Sequence, residues 1–507
     1  MNLLVAVVIL YPIILIGISV WRSRSVKSHA DFMVAGRSVP VALLVGTLVC
    51  TWIGSGSLFG GAGLAYRSGI AELWFSFGGW IGLVVAFFLA GRVRRIAQYT
   101  VPDLLEQRYN AAARLLGTVA IILAYVTIAA YQFRGGGWIL SIVTEGTAIE
   151  MSPTTGMLIT CGAIVLFTAL AGMVSIVTVD IFNGIIITLG VLFALPYLVF
   201  QIGGVGEVLA ALPDSHTRPL GEHNVLWVFG VAMPTFLLIL GESGMYQKFF
   251  SAKDENAARK AVVGMVVGIM LIETTLALVA IVGRAAYPDL AGATSVVGRA
   301  ASETVILFIA REGLPLLGGA ILLAAAVAIV LSTGNTFLLV PSTNVSRDIY
   351  ERFINPNASE GAKLSVQRAF VVLFGGLGLV LLTQFQTVLS MALYAYSLVG
   401  ASLTPALLAA FLWKRVTPQG GVACIAGGLV TIVGIGLAAR IANLREFFTA
   451  TLAGTEFDFS SSDYIVIPGV IMSMGLLIVV SLLTKPSPQE KWAPFFQEAG
   501  LRAGDPT

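Results

Sequence analysis

The sequence predicts an all-α polytopic membrane protein of about 13 transmembrane helices, and three observations predict it. Hydrophobic residues make up 57% of the 507-residue chain before glycine is counted. A soluble domain reaches roughly 45–50% only with glycine included. Charged residues make up 11%, against about 25% in a typical soluble protein. The apolar residues also fall in runs of about 20, the length that crosses a bilayer. This composition excludes a soluble enzyme, a nucleic-acid binder and a disordered scaffold. The net charge of +3 is too small to argue for an anionic polymer partner.

The candidate spans lie near 3–21, 40–66, 72–91, 115–147, 155–173, 176–201, 223–246, 260–286, 313–340, 368–384, 386–412, 420–440 and 464–484. The first run, Met1 to Val20, has no basic leader and no small-residue cleavage site, so it reads as a retained helix. The stretch 295–311 is too polar to span and is expected to pack at the surface. No segment is long enough to fold as a soluble domain, so 1–507 reads as one membrane domain. Cys50, Cys161 and Cys424 all lie in apolar runs, which implies no disulfide framework. No histidine falls in the core of a span, which argues against a haem-ligating subunit. There is no phosphate-binding glycine loop to couple transport to a nucleotide.

Basic residues set the orientation. With the N-terminus outside and the C-terminus cytoplasmic, most of the 30 basic residues fall in inside loops. These include Arg22, Arg37, Arg92, Arg94, Arg95, Lys248, Lys253, Arg347, Arg352 and Lys414.

Two spans are interrupted. One carries Thr51-Trp52-Ile53-Gly54-Ser55-Gly56-Ser57, followed by Gly60, Gly61 and Gly63; the other carries Gly241-Glu242-Ser243-Gly244. Glycines alone are equally consistent with tight helix packing. The two interruptions, however, lie five spans apart, in matching positions of two five-helix halves. Paired broken helices of this kind point to an inverted-repeat transporter with a midplane site.

Several stretches, in order, resemble the sodium:solute symporter family. They are Asp31–Arg37, Tyr99–Tyr109, Ala171–Met173 with Asp180, Tyr246–Lys253, Leu331–Thr333, and Ser402–Pro405 through Arg415. The resemblance runs from about Asp31 to Gln419. It implies the leucine-transporter fold: an N-terminal extra helix and loop (1–39), a first repeat (40–201), a second (223–412), two C-terminal helices (420–484) and a tail (485–507). It implies sodium-coupled symport of a small organic solute into the cell by alternating access. It also implies residence in the plasma or inner membrane, in contact with the lipid bilayer, and activity as a monomer.

The family's shared sodium site, carried across, takes the carbonyls of Cys50, Ile53 and Ile329 and the hydroxyls of Ser332 and Thr333. On the residues alone, two such hydroxyls in a helix bond back to the preceding turn at least as readily. Some relatives hold a second sodium ion, which here would fall to Asp180, Asn335 and Thr336. A carboxylate inside a span costs roughly 2.5–3.5 kcal/mol to insert, which makes Asp180 a functional candidate.

The solute site read beside the same resemblance draws on Trp52, Ser55, Ser57, Glu72, Ser76, Arg134, Glu242 and Tyr396, with Glu273, Tyr394 and Ser397 nearby. Arg134 would fork onto a solute carboxylate, or pair with Glu242 inside the bundle. Glu242 would hold an ammonium group or carry a proton. The positive ends of broken half-helices favour anions. Together these point to a carboxylate-bearing solute such as an amino acid or a monocarboxylate. Two other readings stay open: proton coupling in the same fold, and a non-transporting sensor or channel-like protein. No metal cluster or nucleophile–base pair is visible in the spans to make it an enzyme.

Overall fold

A computed structural model describes residues 3–23, 35, 39–96, 98–291, 301–452 and 455–496. The Asp31–Arg37 stretch, Ala35 excepted, lies outside the described residues, as do Arg24, Lys27, His29, residues 295–300 and the end of the tail.

The first span is α1 (Leu3–Ser23). The first core helix is broken. Its first half, α2 (Val41–Trp52), ends where Ile53 turns extended, with ψ 99°. The chain resumes as a π-helical turn, Gly56–Gly61, that runs into α3 (Ala62–Ser68). Gly69 then reverses the chain with φ 63°, and a Cβ there would meet the His216 backbone at 2.2 Å. α4 (Leu73–Ile96) and α6 (Ala111–Thr144) follow, with the short α5 (Val101–Arg108) between them.

Helical residues then run unbroken from Pro153 to Ile202. A straight helix of 50 residues would be about 75 Å long, far more than the roughly 30 Å of hydrocarbon. The run therefore forms two spans, α7 (Pro153–Leu170) and α8 (Ser175–Ile202). Their partners on the later helix α12 (Leu316–Asn344) show the reversal. Ile164 lies against Gly334, and Thr168 bonds Asn335. The partners then retreat along α12 and past its start: Asp180 meets Ser332, Gly190 faces Leu322, and Leu198 faces Gly313, just before the helix.

The second repeat opens with another broken helix, α9 (Val225–Gly241) and α10 (Ser243–Ser251). It continues through α11 (Glu255–Ala286), α12, α13 (Glu360–Leu382) and α14 (Val388–Leu412). α15 (Pro418–Ala438) and α16 (Val466–Leu483) complete the bundle. Among the described residues, eleven helical stretches are long and apolar enough to span, and two shorter apolar helices, Leu3–Ser19 and Val41–Trp52, accompany them. One of the eleven, Gly56–Ile96, holds both the second half of the first broken helix and the helix after it.

Two expectations are corrected. The described part of the polar stretch, 301–311, does not lie on the surface. It turns inward because Glu303, fully buried, accepts the free N–H groups of Val388 and Leu389 at the start of α14, at 2.8 and 3.0 Å. Lys248 is not a loop residue. It sits in α10 with no exposed surface, and its Nζ donates to the Thr47 carbonyl at 2.7 Å. Among the described residues one strand pair, Thr449–Leu452 against Thr455–Asp458, lies in the link between α15 and α16.

Candidate ion and solute site

The two breaks face each other across α12. In α2 the loss of helical pairing frees carbonyls, because the N–H groups of Ser57 and Leu58 both turn to Gly54. The hydroxyls of α12 meet the freed oxygens. Thr333 Oγ1 lies 2.9 Å from the Ile53 carbonyl and 3.2 Å from that of Cys50. Ser332 Oγ lies 3.4 Å from the Cys50 carbonyl. Ile329 stands one turn before Thr333 on the same helix. Hard oxygens of this type, carbonyl and hydroxyl, suit a sodium ion, so the donor set fits the ion that the family resemblance implies for it. Gly54 allows the approach: a Cβ there would meet Thr333 Cγ2 at 2.9 Å.

Asp180 joins this cluster from α8. Its Oδ1 accepts Ser332 and its Oδ2 accepts Thr47, each at 2.5 Å. Lys248 Nζ stands 3.9 Å from Oδ2 and also donates to Thr51. The other two residues of the expected second ion site do not face Asp180. Asn335 accepts from Thr168 at 3.2 Å, and Thr336 lies 3.4 Å from the Thr51 hydroxyl.

At the second break, Glu242 is the last residue before α10 and caps it. Its carboxylate accepts the N–H groups of Gly244 and Met245 and the Tyr125 hydroxyl, the last at 2.6 Å. A carboxylate is well placed there, against the positive end of a helix. Between the breaks lies a nearly closed cavity lined by Thr51, Trp52, Tyr131, Glu242, Thr333 and Tyr396. Its free space, about 10 Å³, is that of one water molecule. The Tyr131 and Tyr396 hydroxyls are 3.3 Å apart across it.

Beside the cavity, Trp52 Nε1 donates to Glu273 Oε1 at 2.9 Å, and Ser57 to the same oxygen at 3.1 Å. Ser76 donates to Glu72 at 3.1 Å. Ser55 gives both its N–H and its hydroxyl to Gln132 Oε1, at 3.0 and 2.6 Å. Ser397 bonds back to Leu393, and Tyr394 lines a separate cavity with Gln384 and Arg440.

Arg134 is not brought to the cavity and does not pair with Glu242. Its Nη2 donates to the Leu382 and Phe385 carbonyls at 2.6 and 2.9 Å. The reason is local: α13 ends at Leu382, and its last carbonyls need donors. Sequence reasoning missed Gln132, Lys248, Thr47 and Trp80. Lys248 carried a signal, since it lies in a stretch resembling the family and close behind a break.

Broken helices paired across a pseudo-repeat, with an oxygen-lined site between them, define a secondary transporter of the leucine-transporter fold. The model of the sodium:solute symporter family matches residues 32–428, and the chain belongs to that family. It is 24% identical to the sodium/proline symporter of Escherichia coli, over 97% of this chain and 95% of that one. It is 25% identical to the sodium/pantothenate symporter of the same organism, over 83% of this chain and 88% of that one. A sodium-coupled sialic acid symporter, solved substrate-bound and outward-open, superimposes with a TM-score of 0.76 at 16% identity, over 96% of this chain and 99% of that one. The protein is an integral membrane transporter, not an enzyme, with sodium as its coupling ion and a small organic solute as its cargo.

Proposed function

We propose that the chain carries a small carboxylate-bearing solute, of the amino-acid or monocarboxylate kind, into the cell together with one sodium ion. It acts as a monomer in the cell membrane, N-terminus outside, through the repeats bounded above. The observation that carries the reading is the meeting of the Ser332 and Thr333 hydroxyls with the Cys50 and Ile53 carbonyls. An ion held there ties α12 to the first broken helix and braces one state of the bundle. The solute then lies between the breaks, against Trp52, Glu242 and Tyr396.

Two features favour a carboxylate. The half-helix after the first break presents its positive end to the site. Gln132 Nε2, buried and without a partner, is a donor next to it. One sodium ion is favoured over two. The Lys248 ammonium already stands by Asp180, and Asn335 and Thr336 are turned elsewhere.

The test is uptake of amino acids and small carboxylates into proteoliposomes, with and without an inward sodium gradient at fixed pH. Sodium-driven uptake that Ser332→Ala with Thr333→Ala abolishes is the expected result. Uptake driven by a proton gradient and indifferent to sodium would overturn the reading in favour of proton coupling.

A further inference from the structure

Buried carboxylates in this chain are compensated almost everywhere. Asp180 has Lys248. Glu242 and Glu303 each cap a helix start. Asp103, Glu106 and Asp348 share Arg114. Glu72 and Glu273 differ. They are 3% and 5% exposed, and among the described residues no cationic side chain pairs with either.

The two carboxyl groups lie side by side. On α4, Ser76 bonds Glu72 and Trp80, one turn on, bonds Glu273 at 2.8 Å. On the half-helix after the break, Ser57 bonds Glu273. Gly61, one turn on, leaves a Cβ position 3.2 Å from Glu72 Oε1. Indole N–H groups and a hydroxyl occupy both oxygens of Glu273. Glu72 Oε2 is buried with no partner. Trp52, which donates to Glu273, is also a wall of the central cavity. On the far side of the break, Gln132 Nε2 is the matching orphan, a buried donor without an acceptor.

Two uncompensated carboxyl groups inside a membrane protein are costly. An ammonium group offsets the charge and donates to the open oxygen. We infer that Glu72 and Glu273 form the subsite for a protonated amine of the solute, with Gln132 serving its carboxylate end. This rests on the reading of the central cavity as the solute site, and it narrows the cargo to an amine that still carries N–H. The open Glu72 oxygen needs a donor, which a quaternary ammonium lacks.

The experiment uses the purified full-length chain with saturating sodium. Thermal stabilisation is measured with each of the common amino acids, then with the nitrogen-free analogue of any that binds, such as cyclopentanecarboxylate for proline. Equilibrium binding of radioactive sodium is measured in parallel. The expected result is an amine-bearing probe that binds and an analogue at least tenfold weaker. Glu72→Gln and Glu273→Gln should each weaken the amine probe at least tenfold, with sodium binding kept within twofold as the sign of an intact fold. An analogue that binds as well as its amine, or variants that bind the amine as wild type does, would overturn the subsite. Sodium binding with no amine bound would overturn it too, and leave the symport reading standing. Absence of sodium binding in the wild-type protein would overturn the symport reading on which the subsite rests.

Discussion

Thr333 touches two freed carbonyls, while Ser332 divides its hydroxyl between a carbonyl and Asp180. These adjacent hydroxyls were legible because they interrupt a long apolar run. Gln132 was not. It lies two residues from Arg134, and successive helical residues are about 100° apart, so the two side chains point to nearly opposite faces. Sequence spacing does not say which of them meets the cavity; the end of α13 decides it by taking Arg134. Lys248 yields the prediction at this scale. Breaking a buried ion pair by removing one partner costs about 3–5 kcal/mol. Lys248→Gln should therefore lower the melting temperature in sodium-free buffer. The bare Asp180 should then attract a second sodium ion, so added sodium should recover more stability in the variant than in wild type. A variant no more sodium-dependent than wild type would show that Lys248 does not hold the place of an ion.

Helices in this bundle meet at glycines, and some contacts leave no room for a methyl group. Gly78 of α4 faces α9 so closely that a Cβ would lie 2.0 Å from the Ala232 carbonyl oxygen. Backbone cannot yield as a side chain does, so Gly78→Ala should cost about 1–3 kcal/mol, the usual range for overpacking. Thermal unfolding in detergent measures it, and an unchanged melting temperature would contradict the contact. The second case is the charged cluster where α5 and α6 meet the helical turns after α12. Arg114, 5% exposed, holds Asp103 at 2.6 Å, Glu106 at 2.5 Å and Asp348 at 2.7 Å. Arg114→Met would leave three acids short of their shared partner. The expected loss is again about 3–5 kcal/mol, read as a lower melting temperature, whereas Arg352→Met, at the exposed rim of the same cluster, should cost no more than about 1 kcal/mol.

For the molecule as a whole, coupling requires that ion and solute each strengthen the other's binding by the same factor. Saturating solute should raise sodium affinity, and by the same factor as saturating sodium raises solute affinity; paired titrations in which neither changes the other's affinity would show that the two sites are not linked. The physical link is short. Thr333 belongs to both proposed sites, bonding the Ile53 carbonyl and lining the central cavity. The sequence by itself determined the class of fold, the order of the spans and the two breaks. Bilayer-length apolar runs permit few structures other than helices, and clustered glycine and hydroxyl residues mark where a helix is interrupted. Only the tertiary structure decided which polar groups inside those helices meet. It turned Arg134 onto the end of α13, drew Lys248 from an expected loop to Asp180, and set Glu72 beside Glu273. Each of these follows from contacts between segments far apart in the chain, made where a buried charge must find a partner and water supplies none.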